Sequence, residues 1–206
     1  AMSLRDFRAA GYLPETIINF LALLGWNPGH DREIFSKEEL VQEFSLEKVQ
    51  KSGAVFDTAK LDWMNGEYIR KKSVAELTAL CKPYIEEHLA SSASFQYSNI
   101  LENVGISDGR IRDDYLEKIV ALEQPRLKKL SEIGERAEFF FRAPEYDKEL
   151  LRWKKMTDAQ ITASLARSEE ILSQLGDSVS KLDDIFLKAV GEGDKGTLLW
   201  PLRVAL

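Results

Sequence analysis

The stretch Phe56-Asp57-Thr58-Ala59-Lys60-Leu61-Asp62-Trp63-Met64-Asn65-Gly66-Glu67-Tyr68-Ile69-Arg70 sets two kinds of surface on one helical segment. Residues three and four apart share a side of a helix, so Lys60, Trp63, Glu67 and Arg70 line one face while Leu61, Met64 and Tyr68 turn towards another. The apolar side can pack, and the basic, aromatic side suits a phosphate backbone. Helices that bury one face and carry Lys and Arg on the other are common in globular proteins. The pattern alone therefore establishes an amphipathic helix, and the neighbouring sequence must say what its polar face meets.

Upstream, Leu13 to Leu24 reads as a helix with Pro14 in its first turn and Gly25 closing it. Its apolar residues cover most of the circumference, which predicts Ile17, Ile18, Phe20, Leu21 and Leu24 in a core. Ser36 with Glu39, and Ser73 with Glu76, form capping-box patterns that open helices to about Phe44 and Leu89. Glu33-Ile34-Phe35 could make a very short strand. Residues 91 to 99 are serine-rich and break the helical period, so 88 to 110 reads as a flexible connection. From Asp113, Leu116, Ile119, Val120, Leu127 and Leu130 keep helical spacing, and Pro125 either kinks one helix or starts a second. Thr157 with Gln160 opens another helix whose stripe is Ile161, Leu165, Leu172 and Leu175. A helix near Ser180 to Val190, a glycine-rich turn and a final helix around Trp200 to Leu206 complete a mainly α chain of successive bundles, with at most one or two very short strands.

A chain of 206 residues allows one or two domains with real cores. The longest apolar run, Ile17 to Leu24, is interrupted by Asn19 and falls short of the ~20 residues a membrane span needs, so no membrane role is expected. One cysteine, Cys81, allows no internal disulfide and is compatible with a reducing cytoplasm. The net charge of −6 argues against nonspecific nucleic-acid binding, which draws on broad basic surfaces. Charge is unevenly spread, however. Arg126 to Arg136 holds four basic and two acidic residues, whereas Glu102 to Glu117 holds five acidic and two basic ones. A local basic strip survives the negative total.

Nothing in the sequence looks like an active site. The two histidines, His30 and His88, sit in polar surroundings, and no Ser-His or Cys-His arrangement favours nucleophilic catalysis. The pairs Glu38/Glu39, Asp113/Asp114 and Asp183/Asp184 are adjacent, so on a helix their side chains diverge by about 100 degrees and do not converge on one site. Gly191-Glu192-Gly193-Asp194-Lys195-Gly196 lacks the full phosphate-loop spacing and no strand precedes it, which leaves a turn. A metal site is not expected.

Gly11-Tyr12-Leu13-Pro14-Glu15-Thr16-Ile17-Ile18-Asn19-Phe20-Leu21-Ala22-Leu23-Leu24-Gly25-Trp26-Asn27-Pro28-Gly29, together with the Phe56 to Arg70 block, closely resembles the bacterial-type glutamyl-tRNA synthetases. Further matches follow in that family's order: Gln124-Pro125-Arg126-Leu127-Lys128-Lys129-Leu130, Phe139-Phe140-Phe141, Tyr146-Asp147-Lys148 and Trp200-Pro201-Leu202-Arg203-Val204-Ala205-Leu206. The family's HIGH-type signature and KMSKS-type loop do not occur here. The resemblance implies the C-terminal, tRNA-binding part of a class I glutamate-tRNA ligase without its catalytic Rossmann half, the half that would use ATP and Mg. It implies a stem-contact module over 1–72, a helical anticodon-binding domain over 73–142 and the start of a second, truncated one over 143–206. The expected partner is tRNA(Glu), bound by a cytoplasmic monomer that is inactive by itself. Relatives that modify tRNA by glutamyl transfer generally lack this helical region. A helical protein-interaction scaffold without RNA binding is the alternative.

RNA contact needs cations for phosphate, planar groups for stacking and a fixed guanidinium where a base edge is read. The resemblance places Lys60 and Trp63, with Arg70 beside them, on the module that faces the inside corner of the tRNA; packed in a core, Trp63 would have no such role. It assigns the arginine of the Pro-Arg pair, Arg126, to discrimination of the anticodon's third base between glutamate and glutamine tRNAs. Lys118 lies eight residues earlier, about 12 Å along the helix if Pro125 does not redirect its axis; the family often has Arg there, and Lys keeps the charge without the planar fork, which suits phosphate contact. Lys188 and Arg203 are the remaining anticodon-region candidates.

Overall fold

The computed structural model describes residues 3–50, 53, 55–91, 106–107, 110–141, 146–175, 182–191 and 193–205. The chain divides into two compact units, Ala1–Arg142 and Ala143–Leu206. The fold is mainly α, with ten α-helices among the described residues.

The first unit begins with α1 (Leu4–Ala9), capped by Ser3, whose hydroxyl accepts from the Asp6 N–H. Gly11 follows at φ +85°, a conformation that L side chains rarely adopt. A Cβ there would meet the Ser131 and Leu130 amide nitrogens at 2.5 and 2.6 Å, so the glycine lets two distant backbone segments touch. Helix α2 (Pro14–Gly25) starts and stops as its Pro and Gly predict. Its buried face differs from the expected one. Thr16, Asn19 and Phe20 are buried, whereas Ile18 and Leu21 are 48% and 52% exposed. Because apolar residues surround this helix, hydrophobicity alone cannot orient it; polar partners do.

Those partners lie mainly in α4 (Thr58–Lys71), with its N-terminus capped by Asp57. Asn65 Oδ1 accepts from the Leu13 N–H and the Thr16 hydroxyl, both at 2.9 Å. Its amide donates to the Gly11 and Lys128 carbonyls. Asn19 donates to the Glu33 carbonyl and accepts from the Phe35 N–H, each at 2.8 Å. With an amide side chain serving the backbone of 33–35, that segment needs no strand partner and forms none. An isolated bridge between Trp26 and Val49 stands nearby instead. Helix α3 (Lys37–Glu43) carries the full Ser36/Glu39 capping box.

Helix α5 (Val74–Ser91) starts after Ser73, whose hydroxyl accepts from the Glu76 N–H. The serine-rich stretch from 92 and the connection up to 105 lie outside the described residues. A two-residue antiparallel pair, β1 (Ile106–Ser107) and β2 (Arg110–Ile111), precedes α6 (Asp113–Glu123). Pro125 neither kinks α6 nor opens a new α-helix. It sits inside a 3-10 turn, Gln124–Arg126, after which Leu127 is extended. A short helix, α7 (Ile133–Ala137), runs into a 3-10 turn, Glu138–Phe140, that ends the unit's described part at Phe141. One apolar core joins Leu13, Tyr68 and Ile69 to residues of α5, α6 and α7, so packing is continuous through residue 72. A smaller cluster sets Leu61 and Met64 against Tyr12 and Phe20.

In the second unit, Thr157 and Gln160 cap α8 (Asp158–Leu175) reciprocally. Its buried line is Ile161, Ser164, Ser168 and Ile171, with Leu165 and Leu172 on the flank. Helix α9 (Leu182–Val190) follows, and α10 (Lys195–Ala205) starts five residues before the expected Trp200. Asp194 explains the early start: its side chain accepts from the Gly196 N–H and its carbonyl from the Thr197 N–H. Pro201 is accommodated within α10 and buried.

Candidate nucleic-acid interface

On α4 the two faces separate as the spacing requires. Leu61, Met64, Tyr68 and Ile69 are buried, and Trp63 is 42% exposed, which removes the packed-core reading of that ring. The charges on the outer face are not bare. Lys60 Nζ donates to Glu33 Oε1, and Arg70 Nη2 donates to Glu67 Oε1. RNA phosphates would have to compete with these carboxylates for the two cations. Half-exposed pairs of this kind hold weakly, roughly 0–1 kcal/mol, so exchange for phosphate is within reach.

The C-terminal end of α4 carries the turn that holds Arg126. Gln124 Nε2 donates to the carbonyls of Ile69 and Lys72, both at 2.9 Å, and thereby satisfies acceptors that a helix end leaves open. Arg70 Nη1 approaches the Pro125 carbonyl at 3.5 Å. At Gly66 a Cβ would stand 3.2 Å from the Leu127 carbonyl, so the missing side chain admits the turn. Asn65 then takes the Lys128 carbonyl at 2.6 Å. Arg70 and the Arg126 turn, separate candidates in the sequence, are thus parts of one assembly.

Arg126 itself points outward, its side chain 63% exposed, and its Nη1 donates to Glu123 Oε1 at 3.0 Å. Glu123 is 4% exposed and also faces Arg136, whose Nη1 lies 3.5 Å from Oε2. Around these groups runs a cleft of about 540 Å³ that Glu132, Glu135 and Phe139 also border. Phe139 is 46% exposed and stacks on Phe140 at 4.1 Å between ring centroids. Neither Glu123 nor Arg136 stood out in the sequence. Their signal was the spacing Glu123/Arg126, three apart, at the start of the basic strip that ends at Arg136.

Lys118 is exposed on α6, one turn after Asp114, whose carboxyl is lowered chiefly by the Arg112 hydrogen bond, with Lys118 a minor cause. In the second unit Lys188 on α9 and Arg203 on α10 are both exposed. No contact between them is seen. Among the described residues, no group of three or more His, Cys, Asp or Glu side chains is placed to hold a metal ion. Cys81 is buried, which pushes its thiol up to about 12, far from a reactive thiolate. No described helix is long and apolar enough to cross a membrane.

Residues 76–206 match the family described as anticodon binding domain, and residues 1–63 match tRNA synthetases class I (E and Q), catalytic domain. The chain is similar to the glutamate–tRNA ligase of Clostridium botulinum (strain Hall), 37% identical over 210 residues, across 99% of this chain and 39% of that protein. The corresponding ligase of Desulforudis audaxviator is 34% identical over 212 residues, across 100% of this chain and 40% of its own length. The chain therefore spans about two fifths of these relatives. Among solved structures, a glutamate tRNA ligase from Elizabethkingia meningosepticum, crystallised with its amino acid, superposes with a TM-score of 0.73 at 28% identity, over 96% of this chain and 36% of that one. A glutamate-tRNA synthetase from Elizabethkingia anophelis gives 0.67 at 30% identity, over 96% and 35%.

Proposed function

Since the chain belongs to the anticodon binding domain family, we propose that it is the part of a glutamate-tRNA ligase that grips the stem and anticodon of tRNA(Glu). Residues 1–72 act as the stem-contact module, with Lys60, Trp63 and Arg70 towards the RNA. Residues 73–142 and 143–206 act as successive anticodon-binding parts, with Arg126 reading the third anticodon base and Lys118, Lys188 and Arg203 meeting the backbone nearby. ATP and Mg serve the parent enzyme's catalytic half, where glutamate is activated, and the parent works as a cytoplasmic monomer.

The observation that carries this reading is the Gln124–Lys128 turn: it is fastened to α4 and its C-cap by the Gln124 side chain and the Lys128 carbonyl, while the Arg126 side chain remains 63% exposed. A guanidinium on a fastened turn, with Nη1 paired to Glu123 and its other N–H groups taken by no described residue, suits a base edge. Such a bidentate contact discriminates between bases by about 1–3 kcal/mol.

The test is a titration of labelled tRNA(Glu), and of the same tRNA with only the third anticodon base changed, at low and moderate salt. Expected are binding that weakens steeply as salt rises, because phosphate contacts release counterions, and a preference for the unchanged base that Arg126→Gln reduces more than total affinity. Salt-sensitive binding without preference would withdraw base reading and leave stem contact. Absence of binding by a folded sample would favour the scaffold alternative.

A further inference from the structure

We infer that Glu123 is a positioning residue for base discrimination: a buried carboxylate that orients Arg126 before RNA arrives. The inference rests on the base-reading role proposed for Arg126. Glu123 ends α6 and is 4% exposed, so its charge is stable there only if donors accompany it. Two do, one on each oxygen: Arg126 Nη1 at 3.0 Å and Arg136 Nη1 at 3.5 Å. The Gln124–Arg126 turn is 3-10, and in that geometry residues three apart eclipse one another. Arg126 is thereby stacked over Glu123 by the backbone, and the ion pair fixes which edge of the guanidinium faces inward.

The opposite edge faces the cleft. No described residue takes the remaining N–H groups of Arg126. At about 540 Å³ the cleft is of the size that holds small ligands, and Phe139, 46% exposed, offers a ring on its wall. An arginine this exposed would otherwise sample many rotamers, and freezing one on binding would weaken matched and mismatched contacts alike. Tied to Glu123, the planar fork is already aimed, so a wrong base meets donors that cannot swing away to suit it. Glu123 touches no RNA itself; it acts through Arg126.

The experiment compares third-base preference in the unmodified chain, Glu123→Gln, Arg126→Gln and the double variant, with thermal melting as the control for folding. Glutamine keeps the shape and removes the charge. Glu123→Gln should lower the preference by about tenfold, within the range one bidentate contact supplies, while affinity for the matched tRNA changes less. In the Arg126→Gln background it should change the preference no further. If the unmodified chain shows no preference, base reading fails and the inference falls with it. If the unmodified chain discriminates and a folded Glu123→Gln does so equally, Arg126 keeps its role and the inference is overturned. A further loss of preference in the double variant would also overturn it. Should Glu123→Gln not fold, NMR relaxation of Arg126 Nε–Hε in the unmodified chain decides. Order well above that of Arg203, which pairs with no described residue, supports the inference, and equal mobility refutes it.

Discussion

Asn65 engages four partner groups and so ties α4 to the start of α2 and to the Lys128 turn: it accepts from the Leu13 N–H and the Thr16 hydroxyl and donates to the carbonyls of Gly11 and Lys128. Replacing it with Leu would strand several buried polar groups at once. At about 1–3 kcal/mol for an orphaned group, a loss of about 3 kcal/mol is expected, read as a lower urea midpoint. Nothing in the sequence marked Asn65, Thr16 or Asn19 as core, because their burial follows from each other and not from hydrophobicity. Leu61, Met64 and Tyr68 were legible, since their spacing alone places them on one side. Two buried acids give a pH dependence. Burial pushes the Cys81 thiol and the Tyr68 phenol up to about 12 from usual values of 9.0 and 10.0. Both keep their proton in the folded chain when the unfolded chain has lost it. The stability they contribute is therefore complete below pH 9 and falls as pH rises from about 9 towards 12. Urea unfolding at successive alkaline pH values should show that decline, and Cys81→Ala should flatten its lower part.

Helices were legible where they carry their own punctuation. The Ser36/Glu39 and Thr157/Gln160 capping boxes opened α3 and α8 at the expected residues, because such caps are local chemistry. The fate of Pro125 was not local: the 3-10 turn around it is held by Gln124 reaching the end of α4, more than fifty residues away in sequence. Gln124→Ala should cost about 1–2 kcal/mol for two lost bonds to carbonyls and should also blur third-base preference. Melting and the paired tRNA titrations together check both effects. Gly11→Ala combines positive φ with a Cβ 2.5 Å from a backbone nitrogen. A destabilisation above 2 kcal/mol, of order the strain at an incompatible position plus displaced backbone, should appear in the same melting assay.

Across the whole molecule, the two compact units differ in their cores. The first buries a continuous cluster from Leu13 to Phe141, whereas the second relies on two small clusters around Met156 and Phe186. A thin core leaves a small unit marginal, so the second unit should unfold at lower denaturant. Fluorescence of a Trp26→Phe/Trp63→Phe variant reports Trp153 and Trp200 alone, and labelling of Cys81 reports the first unit; coincident transitions would count against this. Net charge of −6 concealed the candidate interface, since a total cannot show that Arg126 stands over a cleft or that Lys60 and Arg70 are paired with acids. Motif order was legible across nearly the full chain, whereas the partners of each cation were set by folding. The turn beside α4 has one more consequence. Gln124, Leu127 and Lys128 do the fastening, and Arg136 still accompanies Glu123 when residue 126 is exchanged. Position 126 can therefore be exchanged with the scaffold that holds the turn intact, so that, on the base-reading role proposed for Arg126, a change of specificity would need no new fold.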